Sequence, residues 1–138
     1  MFYQGIKFRV EVSGFPEDLK KEDFESPEKY ILETCRGKFN SLRVSLNPNS
    51  WDILITGDTV VIDKEGRIIE KPQSEEEHFQ FIRSLSGHWH TITTVIIVGT
   101  GSKMGNKIVE KTVSTRLYMT ELTDNQIRSF VARNPSNR

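Results

Sequence analysis

Three residues stand where the hydrophobic pattern calls for something apolar or turn-forming: Asp58, Lys71 and Lys38. Asp58 follows the apolar run Ile53-Leu54-Ile55 and a glycine, and precedes Val60-Val61-Ile62. A carboxylate among so many apolar residues is costly to bury unless it is paired or holds a metal. Gly57 before it would let a ligand approach the backbone closely, and strand ends are where α/β proteins place ligands. The alternative is a turn aspartate that bonds its own backbone. Lys71 precedes Pro72, which fixes the local backbone, and a lysine is a compact point charge suited to phosphate. Its alternative is a solvated surface lysine. Lys38 falls on the apolar face of a helix pattern, where snorkelling is the plain alternative. An acid able to hold a divalent ion, together with lysines, is the usual equipment of phosphoryl chemistry.

Other chemistry-bearing residues read as structural. His88 and His90 share a strand face by spacing, but no acid or cysteine lies at a matching metal spacing. Cys35 sits on a helical apolar face and reads as core. Trp51 and Trp89 read as packing residues. Gly99-Thr100-Gly101-Ser102-Lys103 is glycine-rich, but it joins two strands rather than a strand and a helix, so it fails the phosphate-loop test.

The elements that must position these residues follow from periodicity and punctuation. Ile6, Phe8, Val10 and Val12 alternate with polar residues and predict a half-buried strand. Glu17 to Glu25 is polar and mainly acidic, a solvated loop. Ser26-Pro27 caps a helix over Pro27 to about Leu42, with Ile31, Cys35, Lys38, Phe39 and Leu42 on one face. Trp51 to Ile62 predicts apolar strands on either side of an acidic turn, Thr56-Gly57-Asp58-Thr59, buried on both faces as in a parallel or mixed sheet. Asp63-Lys64-Glu65-Gly66 signals a hairpin, with Arg67-Ile68-Ile69 returning and Lys71-Pro72 closing the unit. Ser74-Glu75-Glu76-Glu77 opens a helix with His78, Phe81, Ile82 and Leu85 on one face, stopped by Gly87. Trp89–Val98 and Lys107–Met119 predict a long antiparallel hairpin. Thr123-Asp124-Asn125-Gln126 caps a last helix with Ile127, Phe130 and Val131 inward, ended by Asn134-Pro135. The order predicts an α/β or α+β domain with a mixed, twisted sheet flanked by helices.

At 138 residues the chain is one domain or a piece of one. Its formal net charge is zero, so no global field draws in nucleic acid or an anionic membrane. One cysteine excludes an internal disulfide and fits a reducing compartment. No apolar run is long enough to span a bilayer, and Met1-Phe2-Tyr3-Gln4-Gly5 has no signal or transit character. These features predict a cytoplasmic protein without a nucleic-acid or membrane partner.

The assembled motifs resemble the Maf family of nucleoside triphosphate pyrophosphatases, over roughly Gly5 to Pro135. The carriers are Gly5-Ile6-Lys7-Phe8-Arg9-Val10, Glu33-Thr34-Cys35-Arg36-Gly37-Lys38, Gly57-Asp58-Thr59-Val60-Val61, Glu70-Lys71-Pro72 and Leu85-Ser86-Gly87-His88-Trp89-His90-Thr91. The Glu70-Lys71-Pro72 form is similar to the eukaryotic Maf-like branch. The resemblance implies a fold of the Maf and inosine-triphosphatase kind. It also implies hydrolysis between the α and β phosphates, giving a nucleoside monophosphate and pyrophosphate, with Mg²⁺ or Mn²⁺ as cofactor. Asp58 would be the general base or metal-linked carboxylate, Lys38 and Lys71 would bind phosphate, and Glu17 would assist the metal through a looser match. Thr59 after Asp58, rather than a glutamine, implies the branch acting on dTTP, UTP and modified pyrimidine nucleotides, with Thr59 among the substrate-binding residues.

Two departures accompany the resemblance. The family's Ser-x-Ser-Pro-Arg-Arg loop, whose arginines grip the triphosphate, has no counterpart here, nor has its Asp-Lys-Ala-Gly and Tyr-Gly-Ile-Gln-Gly segment. The expectation is a single Maf-like domain over residues 1–138, incomplete at both ends. Each charge-stabilising group supplies roughly 10²–10³-fold in rate, so the missing arginines would be expensive. Two alternatives to an active pyrophosphatase therefore stay open. One is an impaired relative that binds nucleotide or a protein partner. The other is an unrelated α+β interaction module with Asp58, Lys38 and Lys71 structural. A sheet short of a central strand should also expose apolar edges and favour aggregation or a homodimer.

Overall fold

A computed structural model describes residue 5 and residues 7–69 and 71–134. The expected positions Ile6, Glu70 and Pro135, and the first four and last three residues, lie outside the described residues. The elements run α1 (Pro27–Ser45), β1 (Ile53–Ile62), β2 (Ile68–Ile69), α2 (Glu75–Leu85), β3 (Trp89–Thr100), β4 (Ile108–Tyr118) and α3 (Asp124–Arg133). The α/β class is as the sequence implies. The four strands form one sheet in the order β2-β1-β3-β4, and every pairing among the described residues is antiparallel rather than mixed.

The Ser26 hydroxyl accepts from Lys29 N–H, Pro27 occupies the first turn, and α1 continues three residues past the expected Leu42. It lays Ile31, Cys35, Phe39 and Leu42 on Leu54, Val95 and Ile97 of the sheet. Burial of a side chain of this size is worth about 1.5–3 kcal/mol, which makes this layer the dominant core. Phe39 lies so close over β3 that a Cβ at Gly99 would overlap its ring, and glycine there lets the helix seat closely on the sheet. A smaller cluster, Phe79 and Ile82 of α2 with Ile127 and Val131 of α3, holds those helices together. The helix caps are as expected: Ser74 accepts from Glu77 N–H, Gly87 follows α2 at φ +71°, and Thr123 and Gln126 form a reciprocal capping box.

Four expectations are corrected. Residues 7–12 form no strand, and Phe8, Val10 and Val12 are 58%, 78% and 91% exposed. Alternation makes a strand only where a partner supplies the ladder, and none does so among the described residues. Thr56-Gly57-Asp58-Thr59 is not a turn: β1 runs unbroken through it, with Gly57 opposite Ile96 and Asp58 opposite Val95. Ten consecutive pairings with β3 outweigh the weak local signal of one Gly-Asp step. Nor is β1 buried on both faces. Leu54 and Thr56 point under α1, while Ile53 and Ile55 are exposed on the uncovered side. Finally, Phe130 and Trp89 are exposed. Phe79 takes the buried place expected of His78 and Phe81, which lie half-buried beside it, because Phe79 is the residue that packs with Ile82 against Ile127 and Val131 of α3.

Candidate active site

Lys38 is the centre of the site. Its ammonium lies 2.9 Å from Asp58 Oδ2 and 3.0 Å from Glu17 Oε1. The helix pattern already placed Lys38 on the inward face of α1, one turn from Thr34 and two from Ile31. Strand alternation places Asp58 on the face of β1 that α1 covers, in line with Leu54 and Thr56. The two charges therefore meet between helix and sheet, with their side chains only 19% and 22% exposed. Burial drags the Lys38 pKa down, but hydrogen bonds to Asp58 and Glu17 outweigh it and hold the ammonium above the ordinary lysine value. Neither the snorkelling lysine nor the simple turn aspartate describes this pair. One part of the alternative survives: Asp58 Oδ1 accepts from the N–H of Thr59, 3.0 Å away.

Glu17 arrives from the loop before α1. A Cβ at Gly37 would overlap the Phe15 ring, so the missing side chain of Gly37 is the seat on which Phe15 rests. Phe15 thereby anchors the loop two residues before Glu17, and Gly37 is the immediate neighbour of Lys38. This positioning pair was not found from sequence. The available signal was a glycine inside a strong helix pattern, which costs about 1 kcal/mol relative to alanine and so asks for a packing reason.

Asp58 and Glu17 open onto a cleft of about 450 Å³, whose walls include Thr34, Thr59, Ile68, Lys71 and Pro72. Lys71 lies two residues past the end of β2, is exposed, and makes no hydrogen bond or ion pair among the described residues. The β1–β2 hairpin carries it. Asp63, with its side chain 7% exposed, accepts from the N–H groups of Glu65 and Arg67 and from the Arg67 guanidinium. Burial raises the Asp63 pKa, but the bonds from Arg67 more than reverse this and leave it below the usual aspartate value. Thr59 borders the cleft, but its hydroxyl lies 3.0 Å from that of Thr94 on the other face of the sheet. The structure thus gathers Glu17, Lys38 and Asp58 into one cluster and sets Lys71 and Thr59 on the cleft it opens into. No arginine lines that cleft among the described residues.

The secondary candidates are structural. Cys35 is fully buried, its Sγ 3.7 Å from Thr56 Oγ1, and burial pushes the thiol pKa up. His88 bridges the Ser86 carbonyl and the Lys64 ammonium. His90 is buried. No group of three or more His, Cys, Asp or Glu suited to a metal occurs among the described residues. None of the helices described is long and apolar enough to cross a membrane.

This arrangement, an acid and lysines facing a cleft at one side of an α/β sheet, is equipment for polyphosphate chemistry. The chain matches the family model of Maf-like proteins over residues 1–137, and it belongs to that family. It is 33% identical over 127 residues to a dTTP/UTP pyrophosphatase of Clostridium perfringens (strain SM101 / Type A), covering 91% of this chain and 62% of the relative. A dTTP/UTP pyrophosphatase of Methylobacillus flagellatus is 32% identical over 128 residues, covering 93% and 60%. A nucleoside triphosphate pyrophosphatase of Dictyostelium discoideum is 35% identical over 94 residues, covering 67% and 43%. The chain thus spans about three fifths of the length of the bacterial relatives it matches.

Proposed function

We propose that this chain acts on nucleoside triphosphates of the dTTP and UTP kind, splitting them between the α and β phosphates into monophosphate and pyrophosphate. The observation that carries the reading is that Asp58 and Glu17, joined through Lys38, line the same cleft as Lys71. The activities for which the relatives are named supply the reaction and the pyrimidine bases.

Asp58 receives the proton of the attacking water. The water oxygen bonds to the α phosphorus as the bond from that phosphorus to the α–β bridging oxygen breaks, and the bridging oxygen leaves with pyrophosphate. Lys38 holds Asp58 in place through its ion pair, and Lys71 meets the negative charge of the phosphate chain. The Lys38 ammonium fills the point on which Asp58 and Glu17 converge, so a divalent ion would be taken together with substrate on the cleft side, where one or two carboxylates plus phosphate oxygens are the usual Mg²⁺ ligands. Asp58 and Glu17 would hold Mg²⁺ or Mn²⁺ here. The ion would neutralise charge on the phosphate oxygens.

A second reading, nucleotide binding without turnover, is favoured by one feature: no arginine lines the cleft among the described residues. Incubation with dTTP or UTP and Mg²⁺, followed by product analysis, separates the two. Monophosphate plus pyrophosphate supports hydrolysis. Intact triphosphate, with a raised melting temperature, supports binding alone. Diphosphate plus inorganic phosphate would overturn the assigned cleavage point.

A further inference from the structure

Among the described residues β4 is an outer strand of the sheet with no neighbour beyond it, exposed along its whole length from Ile108 to Tyr118. It carries no proline, and its pairing with β3 runs without a bulge. Natural sheets usually blunt such an edge because its unpaired N–H and C=O groups template another strand. The bonds from Thr100 N–H to the Lys107 carbonyl and from Met119 N–H to the His88 carbonyl show that odd-numbered residues of this strand bond to β3. The alternation of an antiparallel ladder then turns the backbone groups of Ile108, Glu110, Thr112, Ser114, Arg116 and Tyr118 outward.

We infer that β4 is a homodimerisation edge: two copies pair β4 to β4, antiparallel, about a two-fold axis at Val113. This register makes the strand complementary to itself. Val113 meets Val113, Thr112 meets Ser114, Val109 meets Leu117 and Ile108 meets Tyr118. Glu110 meets Arg116, so the one acid on β4 faces a cation on each side of the axis, and Lys111 meets the neutral Thr115. The outward backbone groups coincide with one another, so the ladder closes across the axis. Neighbouring registers lack this match. Centring on Lys111 sets like charges face to face, and centring on Thr112 or Ser114 sets Lys111 against Val113 or Leu117. Cross-strand pairs of opposite charge and paired apolar residues are what select a register.

The side chains are already arranged for it. The Arg36 guanidinium grips Glu110 through Nε and Nη2, at 2.8 and 2.6 Å, which fixes the carboxylate and leaves acceptor positions for the partner's arginine. The Arg116 guanidinium lies 5.0 Å over the Trp89 ring, on the same face of the sheet. The dimer would also extend the uncovered sheet face, on which Ile55, Ile96, Val109 and Val113 are exposed, into one continuous surface. The symmetry is isologous and closes at two copies.

Disulfide trapping tests the register. In the pair, Val113 occupies a non-hydrogen-bonded site with Cα atoms about 4.5 Å apart, within the range a disulfide spans. Val113→Cys should therefore form a covalent dimer under mild oxidation, with Cys35 buried and inert. Lys111→Cys alone should not cross-link to itself, but should do so when mixed with Thr115→Cys. Thr112→Pro removes an outward N–H without touching a bond to β3. In sedimentation velocity it should shift a concentration-dependent dimer toward monomer at unchanged circular dichroism. A wild-type monomer at every concentration would overturn the inference. So would a dimer that Val113→Cys fails to trap, or Lys111→Cys cross-linking to itself as readily as Val113→Cys. Nucleotide turnover is not a readout, so failure here leaves the proposed reaction untouched.

Discussion

Replacing Lys38 with methionine removes the cation between two carboxylates, and the structure sets the size of the effect. Asp58 and Glu17 each lie about 3 Å from the ammonium, so they stand within about 6 Å of each other. At an effective dielectric of ~20, two like charges at that distance repel by about 3 kcal/mol. Glu17 is 64% exposed and free to swing into solvent, which reduces this to ~1 kcal/mol or less. The charge-assisted bond to the largely covered Asp58 adds about 1.5–3 kcal/mol. Lys38→Met should therefore destabilise the fold by about 2–3 kcal/mol. A double-mutant cycle with Asp58→Asn, which keeps the side-chain shape, should give a coupling of about 1–2 kcal/mol, and a cycle with Glu17→Gln only ~0.5 kcal/mol. Urea melts of the single and double variants at neutral pH measure both. The pKa shift predicts the pH course. Folding raises the Lys38 value above its ordinary 10.5, so its contribution is fully present below that pH and is lost as pH rises through the folded value. The wild-type advantage over Lys38→Met should be flat near neutrality and shrink above about pH 10.5. Coupling to Asp58 below about 0.5 kcal/mol, or weaker than coupling to Glu17, would refute the reasoning.

Three further outcomes follow from particular contacts. Gly37→Ala should displace the Phe15 ring, destabilise by about 1–3 kcal/mol, and abolish the coupling between Lys38 and Glu17 while leaving that to Asp58 intact; urea melts of the corresponding cycles check this. Asp63→Ala removes the acceptor of the Glu65, Arg67 N–H and guanidinium bonds. It should cost about 1–3 kcal/mol and lower hydrogen-exchange protection in the β1–β2 hairpin. Lys71→Ala should leave the melting temperature unchanged, since Lys71 has no partner among the described residues, but reduce kcat/KM for the triphosphate by roughly 10–100-fold, the value of one charged hydrogen bond.

What sequence could and could not show divides along physical lines. Helices with explicit caps were legible: Ser26-Pro27, Ser74 and Thr123 each open the helix they announce. Lys38 and Asp58 were legible as anomalies, because a charge on an apolar face must find a partner. That they partner each other was not, since it depends on which face of β1 the helix covers. Residues 7–12 misled because alternation reports a capacity for pairing and not a partner. The Gly57-Asp58 step misled because a local turn preference is weak against ten pairings with β3. Phe15 on Gly37 was hidden for another reason: a close approach between a loop and a helix leaves no periodic trace.

The central claim is that Asp58, held by Lys38, serves a triphosphate site. The most direct test is pyrophosphate release from dTTP and UTP with Mg²⁺, comparing the wild-type chain with Asp58→Asn. The account predicts release by the wild type and a fall of about 10²-fold or more in the variant, the range for losing one group that acts on the developing charge, with nucleotide still raising the melting temperature of both. Equal release by the two proteins would contradict it, as would a wild-type chain that neither releases pyrophosphate nor is stabilised by nucleotide.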